Sequence, residues 1–161
     1  MFGLLIGLGI IVLIILILFA LGAVKSEPEP KYGVESVTQK GEEVRSFAEK
    51  RIADYFTRNN IDYVYEQEVR VRGGCLLLSE YVVGNPDFYL PDYDVYVEYW
   101  GLVDAPDRRT RERYIQNMRK KMAIYYRNNI KFVSIYPRNL ENLDWIFRKK
   151  FEKVTGFELP S

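Results

Sequence analysis

The stretch PDFYLPDYDVYVEYWG, at residues 86–101, predicts two short strands joined by a tight turn. Aromatic and β-branched residues on either side of Pro91-Asp92 are typical of strands, and the Pro-Asp step itself is typical of a turn. A reversal centred between positions 92 and 93 places Asp87 opposite Glu98, with their Cβ atoms roughly 4.5–5.5 Å apart. Two facing carboxylates destabilise a sheet unless a cation lies between them or one of them takes a proton. The pairing therefore suggests that this hairpin has a chemical function.

The amino-acid composition restricts the chemistry available to the chain. The 161 residues include no histidine and a single cysteine, Cys75. A Ser-His-Asp triad, histidine-based acid–base catalysis and zinc sites rich in histidine or cysteine are therefore excluded within one chain. No Gly-x-Gly-x-x-Gly or P-loop motif is present, so a nucleotide-binding loop has no support in the sequence. Carboxylates, lysines and hydroxyls remain, and this set suits Mg²⁺ or Mn²⁺.

Residues 1–24 carry no charged side chain and are almost entirely apolar residues and glycine. A helix of this length extends roughly 36 Å, which is enough to cross a bilayer. The segment lacks the positively charged start and the short apolar core of a cleaved signal peptide. We therefore expect a single-pass transmembrane anchor. The first basic residues, Lys25, Lys31 and Lys40, follow it, and the positive-inside rule then places the C-terminal domain in the cytoplasm.

The rest of the chain divides into a flexible tether at 25–42, which lacks periodicity, and one α/β domain at 43–161. Hydrophobic periodicity predicts the following elements in order: a helix over 41–59, a strand over 61–69, the hairpin, a helix over 110–128, a strand over 130–136, and a helix that Asn139 begins and Gly156 ends. For the segment 70–85 the sequence leaves two alternatives, a short strand or an irregular excursion at the edge of the sheet. These elements predict an α/β domain with a small mixed sheet.

Two charged residues lie at informative positions on the predicted helices. Glu49 lies at the border of the apolar stripe of the first helix, where it is either solvated or reaches towards a neighbouring sheet. Lys121 falls within the apolar stripe of the second helix, between Met118 and Tyr125. A lysine in such a stripe either extends past its neighbours to solvent or is aimed at a negative charge. The sequence leaves both alternatives open for each residue.

The second predicted helix also carries a local excess of positive charge. Residues 108–127 include eight basic residues and one acidic residue, although the whole chain is close to neutral. Such a cluster suits the phosphate backbone of a nucleic acid and carries no information about base sequence. The candidate nucleic-acid-binding residues are Arg108, Arg109, Arg111, Arg113, Arg119 and Lys120.

The order of these elements, and the residues on them, resembles the PD-(D/E)XK, or restriction-endonuclease-like, nuclease superfamily, whose core is αβββαβ. The resemblance covers about residues 43–136 and depends on Glu49, the Pro86-Asp87 step, Glu98 and Lys121. The chain departs from the motif at Trp100, which stands two residues after the glutamate, where the motif has lysine. Some branches of the superfamily have Glu-x-aromatic-Gly on this strand and carry the lysine on the following helix, and this chain is similar to them.

The resemblance implies a membrane-anchored, metal-dependent nuclease that hydrolyses phosphodiester bonds of nucleic acid, DNA more than RNA. It implies that Asp87, Glu98 and the backbone carbonyl of Tyr99 bind Mg²⁺ or Mn²⁺. Glu49 would hold a metal-bound water, and Lys121 would stabilise the charge that develops at the phosphate. Trp100 and Tyr114 would support the displaced lysine.

Two alternatives remain open from the sequence. Because the strand lysine is missing, the domain could be a catalytically silent module that keeps the nuclease fold and binds nucleic acid or a protein partner at the membrane. The chain could also be a structural membrane protein whose carboxylates lie far apart. Whether Glu49, Asp87, Glu98 and Lys121 converge in space separates this last alternative from the others.

Overall fold

The computed structural model describes residues 35–72 and 80–159. The expected transmembrane anchor at 1–24, and the part of the expected tether up to residue 34, lie outside the described residues. No helix within the described ranges is both long enough and apolar enough to cross a membrane.

The described residues form a mixed α/β fold around one four-stranded sheet, which confirms the predicted α/β class. Its strands are β3 (Val64–Tyr65), β6 (Phe88–Leu90), β7 (Val95–Tyr99) and β8 (Phe132–Ile135), in that spatial order. Strand β6 is antiparallel to β3 and to β7, whereas β8 runs parallel to β7. The sheet is therefore mixed, as the sequence predicts.

The hairpin of β6 and β7 has the register that its sequence predicts. Phe88 pairs with Val97, and Leu90 pairs with Val95. A single 3₁₀ turn, Pro91–Tyr93, connects the strands, and Asp94 closes it in the left-handed region with φ of 51°. The predicted reversal between positions 92 and 93 is confirmed.

Three helices cover the two faces of the sheet: α1 (Phe47–Arg58), α2 (Arg108–Arg127) and α3 (Leu143–Thr155). Alternate residues of the hairpin strands point to one face of the sheet, namely Phe88, Leu90, Val95 and Val97. They share a buried apolar cluster with side chains of α1 and α3. The main buried partners on the two helices are Ile52, Phe56, Phe147 and Phe151. On the other face, Tyr96 packs in a second cluster with Tyr125 and Met122 of α2. This second face carries the candidate site.

The predicted strand over 61–69 is wrong as a single element. Only β3 joins the central sheet, whereas β4 (Val69–Arg72) pairs with β5 (Glu80–Gly84) in a separate antiparallel sheet of two strands. Glu66 separates the two strands because its φ is 53°, in the left-handed region that does not continue a strand. Its backbone N–H donates to the carbonyl of Asp87 at 3.1 Å.

Part of the expected tether is ordered by contacts with α1. Strand β1 (Ser36–Val37) pairs with β2 (Glu43–Val44) across a turn. The backbone N–H of Gln39 in this turn donates to Asp54 Oδ1 on α1 at 2.7 Å. Helix α1 consequently begins at Phe47, later than predicted, and Ser46 caps it by accepting from the N–H of Glu49.

Asn139 does not begin the last helix, contrary to the sequence prediction. Its side-chain oxygen accepts from the N–H of Tyr136 at 3.0 Å and closes a 3₁₀ turn, Pro137–Leu140. Helix α3 begins after this turn, at Leu143. The predicted end is confirmed, since Gly156 caps the helix in the left-handed region with φ of 78°.

We expect Gly156→Ala to lower the free energy of unfolding by roughly 1 kcal/mol, because a Cβ disfavours the left-handed conformation. A Cβ at this position would meet no atom within 4 Å, so the loss reports backbone conformation alone. Gly156→Asn is the matched control and should lose less, since asparagine tolerates this region. Denaturant unfolding measures both variants, and equal losses would contradict the interpretation.

Candidate active site

Asp87 and Glu98 lie opposite each other at the open end of the hairpin. The register of Phe88 with Val97 continues to these two residues, and strand alternation places both on the face that α2 covers. Asp87 Oδ2 accepts a hydrogen bond of 2.5 Å from the backbone N–H of Tyr99. The facing carboxylates that the sequence predicts are therefore present, and the Asp87 carboxylate is held against the end of β7.

Glu98 is buried, with only 3% of its surface exposed, and two of its partners come from α2. Lys121 Nζ lies 2.6 Å from Glu98 Oε1 in an ion pair. The hydroxyl of Tyr125 donates to the same oxygen, also at 2.6 Å. Lys121 is thus aimed at a negative charge and does not extend to bulk solvent, which settles the alternative that the sequence left open.

The ammonium group of Lys121 is held by several further contacts. It donates to the backbone carbonyl of Asn85 at 3.3 Å and lies 5.8 Å from the centre of the Trp100 ring. Its stem crosses the backbone of Gly84, where an added Cβ would lie 3.4 Å from Lys121 Cε. The lysine is therefore positioned by β5, β7 and α2 together.

Trp100, which stands two residues after Glu98, has a structural role. Its indole is buried, and Nε1 donates to Ser134 Oγ on β8 at 3.0 Å. Its ring meets Tyr114 of α2 edge to face, with the ring centres 6.5 Å apart. Trp100 and Tyr114 together fill the space beyond the end of β7, next to the Lys121 ammonium.

Glu49 reaches the same end of the sheet but is occupied by local partners. Its carboxylate accepts from the hydroxyl of Tyr65 at 2.6 Å, from the N–H of Arg45 at 2.9 Å and from the hydroxyl of Ser46 at 2.9 Å. The bond with Ser46 belongs to the helix cap of α1. Glu49 is therefore a buried capping residue as well as a neighbour of the carboxylate pair.

The pKa of Asp87 is raised well above its ordinary value. Burial is the largest cause, the negative charge of Glu98 follows, and Glu49 adds to it. The hydrogen bond from Tyr99 and the positive charge of Lys121 lower the pKa but do not compensate. Three carboxylates and one ammonium thus influence one another here, and the cluster has an excess of negative charge.

The oxygen donors at this point suit a divalent cation in part. Asp87, Glu98 and the carbonyl of Tyr99 match the preference of Mg²⁺, which binds through one or two carboxylates and keeps several waters. The neighbouring negative charges of Glu98 and Glu49, which help to raise the pKa of Asp87, are the kind of imbalance that a cation relieves. Within residues 35–72 and 80–159, however, no group of three or more His, Cys, Asp or Glu side chains is placed to hold a metal ion. Lys121 also competes for Glu98.

Most of the predicted nucleic-acid-binding residues lie on the outer side of α2. Arg109, Arg113 and Lys120 are exposed and share one flank of the helix, roughly 80–120° around the axis from Lys121. Arg119 is also exposed. The other two have partners: Arg108 pairs with Glu112 at 2.8 Å, and Arg111 Nη1 donates to the carbonyl of Ala105 at 2.7 Å.

Sequence reasoning missed the role of Tyr125, which it placed only in the apolar stripe. The available signal was its spacing of four residues from Lys121, which puts both on one helix face. The contact of Tyr65 with Glu49 had no such signal, because it joins two elements through tertiary packing.

Comparisons of the chain with protein-family models, with curated proteins and with solved structures found no match. The functional interpretation therefore depends on the residues and geometry of this site.

We expect Asp87→Asn to raise the free energy of unfolding at neutral pH. The pKa of Asp87 in the folded state lies above its ordinary value of 3.8. The folded protein therefore loses stability as the pH rises from about this ordinary value through the raised pKa. Asparagine stays neutral and escapes this loss. The difference between variant and wild type should therefore be larger at about pH 7 than at about pH 3.

Urea unfolding at both pH values measures this difference. Asp92→Asn is the matched control, since it removes an exposed carboxylate from the turn of the same hairpin. A variant that is less stable than wild type at neutral pH would contradict the assignment of unfavourable charge to Asp87.

We also expect Tyr125→Phe to lower the free energy of unfolding by about 1–3 kcal/mol, because it removes a hydrogen bond to a buried carboxylate. Tyr126→Phe, at the exposed neighbouring position, should change the same quantity by less than about 0.5 kcal/mol. Denaturant titration of both variants measures the effect, and equal losses would show that Glu98 does not depend on this hydroxyl.

Proposed function

We propose that this chain is a membrane-anchored, metal-dependent nuclease that hydrolyses phosphodiester bonds of nucleic acid, DNA more than RNA. The observation that carries the proposal is the convergence of Asp87, Glu98 and Lys121 at one end of the sheet. These residues come from three separate elements and include a buried ion pair of 2.6 Å. A protein with scattered carboxylates would not bring them together, so the purely structural alternative loses its support.

The topology supports a restriction-endonuclease-like core. If the separate β4–β5 hairpin is treated as an insertion, the remaining elements have the order αβββαβ. These elements are α1, β3, β6, β7, α2 and β8. Helix α3 follows the core. The resemblance in the sequence and the order of the sheet strands both support this proposed core, although fold alone does not establish activity.

The cofactor of the proposed reaction is Mg²⁺ or Mn²⁺, held by Asp87, Glu98 and the carbonyl of Tyr99. When bound, the cation supplies a water of lowered pKa and neutralises charge on the phosphate. The chain itself orients these donors, since the N–H of Tyr99 fixes Asp87 and the hydroxyl of Tyr125 fixes Glu98.

Lys121 takes the part of the missing strand lysine in this proposal. Its ammonium group is the positive charge beside the carboxylate pair, and Trp100 and Asn85 hold it there. A fixed positive charge next to a phosphate stabilises the charge that develops during hydrolysis, which is often the largest single catalytic effect. Glu49, held by Tyr65 and Ser46, would orient water at the edge of the site.

The remaining parts of the proposal concern partners and location. Four exposed basic residues of α2 offer positive charge to a phosphate backbone: Arg109, Arg113, Arg119 and Lys120. Binding of nucleic acid should therefore weaken as the salt concentration rises. Residues 1–24 are proposed to anchor the chain in a membrane, with the α/β domain in the cytoplasm.

One observation favours the catalytically silent module as a second candidate. Glu98 is almost fully buried and already neutralised by Lys121, and Glu49 is occupied by three hydrogen-bond donors. A site with this internal pairing is stable without a metal ion. Such a module would bind nucleic acid or a protein partner without cleaving it.

We expect Lys121→Met to reduce the rate of Mg²⁺-dependent cleavage of plasmid or single-stranded DNA by about 10²–10³-fold, because it removes a fixed charge from the reacting phosphate. The matched control is Lys153→Met, which removes an exposed lysine of α3 outside the site and outside the basic residues of α2, and should leave the cleavage rate within about threefold of wild type. Both variants are compared with the full chain in a mild non-ionic detergent.

Calorimetric titration with Mg²⁺ separates the two candidate functions. Binding of Mg²⁺ to the wild-type chain that is lost in Asp87→Asn supports the nuclease. No Mg²⁺ binding and no cleavage, with nucleic-acid binding retained, would support the silent module. Because Asp87→Asn is expected to be the more stable protein, its loss of cleavage would not reflect unfolding.

A further inference from the structure

A surface groove of about 400 Å³ lies between α1 and the start of α3 and has no part in the site described above. Arg51, Tyr55 and Arg58 line it from α1 at the spacing of one helix face. The other wall is formed by residues 141–145, which lead into α3 and include Trp145. The groove thus combines two guanidinium groups with an exposed indole.

Trp145 is the large aromatic side chain of this groove, and 65% of its surface is exposed. It makes no ring contact with another aromatic side chain in the part of the chain that the structure describes. A single exposed aromatic residue is common on protein surfaces. Its position on the wall facing two arginines is the informative feature. The planar base of a nucleotide could stack on the indole, and its charged phosphate could pair with the arginines.

The charges around the groove leave both arginines available. The side chains of Arg51 and Arg58 form no ion pair or hydrogen bond with any residue of the described ranges. Asp144 is already bound, since it pairs with Arg148 Nε at 2.9 Å and accepts from the hydroxyl of Tyr55 at 3.1 Å. Glu141 is the remaining acidic residue of the lining. The positive charge therefore exceeds the negative charge that is not neutralised elsewhere.

We propose that this groove binds single-stranded nucleic acid, with a base stacked on Trp145 and phosphates paired with Arg51 and Arg58. Stacking on aromatic side chains and pairing with basic residues are the two contacts by which single strands are held without sequence preference. Glu141 and Asn142 offer hydrogen-bonding groups to the exposed edge of the stacked base. The inference rests on the proposed nuclease function and names its substrate form, a single strand.

The groove lies at the same end of the sheet as the candidate active site. Strand β8 runs parallel to β7, and its Ser134 is paired with Glu98. The chain leaves β8 at this end and reaches the groove wall within ten residues, through the 3₁₀ turn Pro137–Leu140. On the other wall, Arg51 follows Glu49 by two residues on α1. The helices α1 and α3 cover the face of the sheet opposite to α2, so a strand bound in the groove would have to pass around this end of the sheet to reach Asp87 and Glu98.

The two tryptophans of the chain allow the two sites to be observed separately. Trp145 is exposed in the groove, whereas Trp100 is buried beside Lys121. We expect an oligothymidylate of about ten nucleotides to quench the tryptophan fluorescence of the full chain in detergent, with EDTA present to prevent cleavage. Trp145→Phe should remove this quenching, because Trp100 then supplies the whole signal.

Binding of the same oligonucleotide, labelled for anisotropy, measures the energetic part of the proposal. Trp145→Ala should weaken binding by about tenfold, within the range for loss of one base–aromatic stack. Phe157→Ala is the matched control, since it removes an aromatic side chain of similar exposure that does not line the groove. It should leave the affinity unchanged.

The arginines are tested through the salt dependence of binding. Arg51→Gln and Arg58→Gln should each reduce the slope of log affinity against log salt by about 0.7, the value for one phosphate contact in a single strand. Lys131→Gln is the control, because this exposed lysine precedes β8 at the opposite end of the strand from Ser134.

The outcomes separate this inference from the proposed function. If Asp87→Asn loses cleavage but keeps the fluorescence quenching and the affinity for the oligonucleotide, both the groove and the proposed nuclease function are supported. Quenching without cleavage in the wild-type chain would support the groove and contradict the nuclease. Unchanged affinity in Trp145→Ala and in both arginine variants, or displacement of the oligonucleotide by polyglutamate at equal charge concentration, would overturn the groove as a nucleic-acid site.

Discussion

The buried carboxylate of Glu98 is the constraint on which the arrangement of α2 depends. A charge in the protein interior is unfavourable unless partners compensate for its lost hydration. Two direct partners of Glu98, Lys121 and Tyr125, come from α2, and they are spaced four residues apart on one face of that helix. The ion pair and the hydrogen bond therefore fix which face of α2 meets the sheet and how far the helix is shifted along it. The apolar contacts of Tyr125 with Phe132 then follow from this orientation.

Asp87 shows the opposite balance, because its surroundings disfavour its charge. Its pKa is raised by burial and by Glu98, and one backbone N–H with one lysine does not offset these effects. A carboxylate of this kind lowers stability at neutral pH, and a fold selected for stability alone has no need of it. Paired residues with perturbed charge are a feature of functional sites, although structural networks also produce them. The unfavourable charge of Asp87 is therefore a stronger argument for function than the favourable ion pair of Glu98.

The sequence predicted those features that depend on local periodicity and turn chemistry. The register of the hairpin followed from a two-residue period and a Pro-Asp turn, and the stripe of α2 followed from helical spacing. Asn139 bonds to Tyr136, three residues earlier, so its 3₁₀ turn is a local alternative to the predicted helix start. Features set by tertiary contacts, in contrast, were not predictable. Glu66 interrupts the predicted strand because its backbone bonds to the distant Asp87. The occupation of Glu49 by Tyr65 likewise depends on two elements that meet only in the folded chain.

In the proposed nuclease, the position of the lysine on a helix and not on the strand changes what determines the geometry of the candidate site. A lysine two residues after Glu98 would be fixed by the strand itself, whereas Lys121 is fixed only as well as α2 packs on the sheet. Trp100 supports that packing, because its indole bonds to Ser134 and meets Tyr114 on α2. Trp100 thus helps to position Lys121 beside Glu98. Changes at the interface of α2 with the sheet should therefore act on the charge beside Glu98, even where they touch none of the carboxylates.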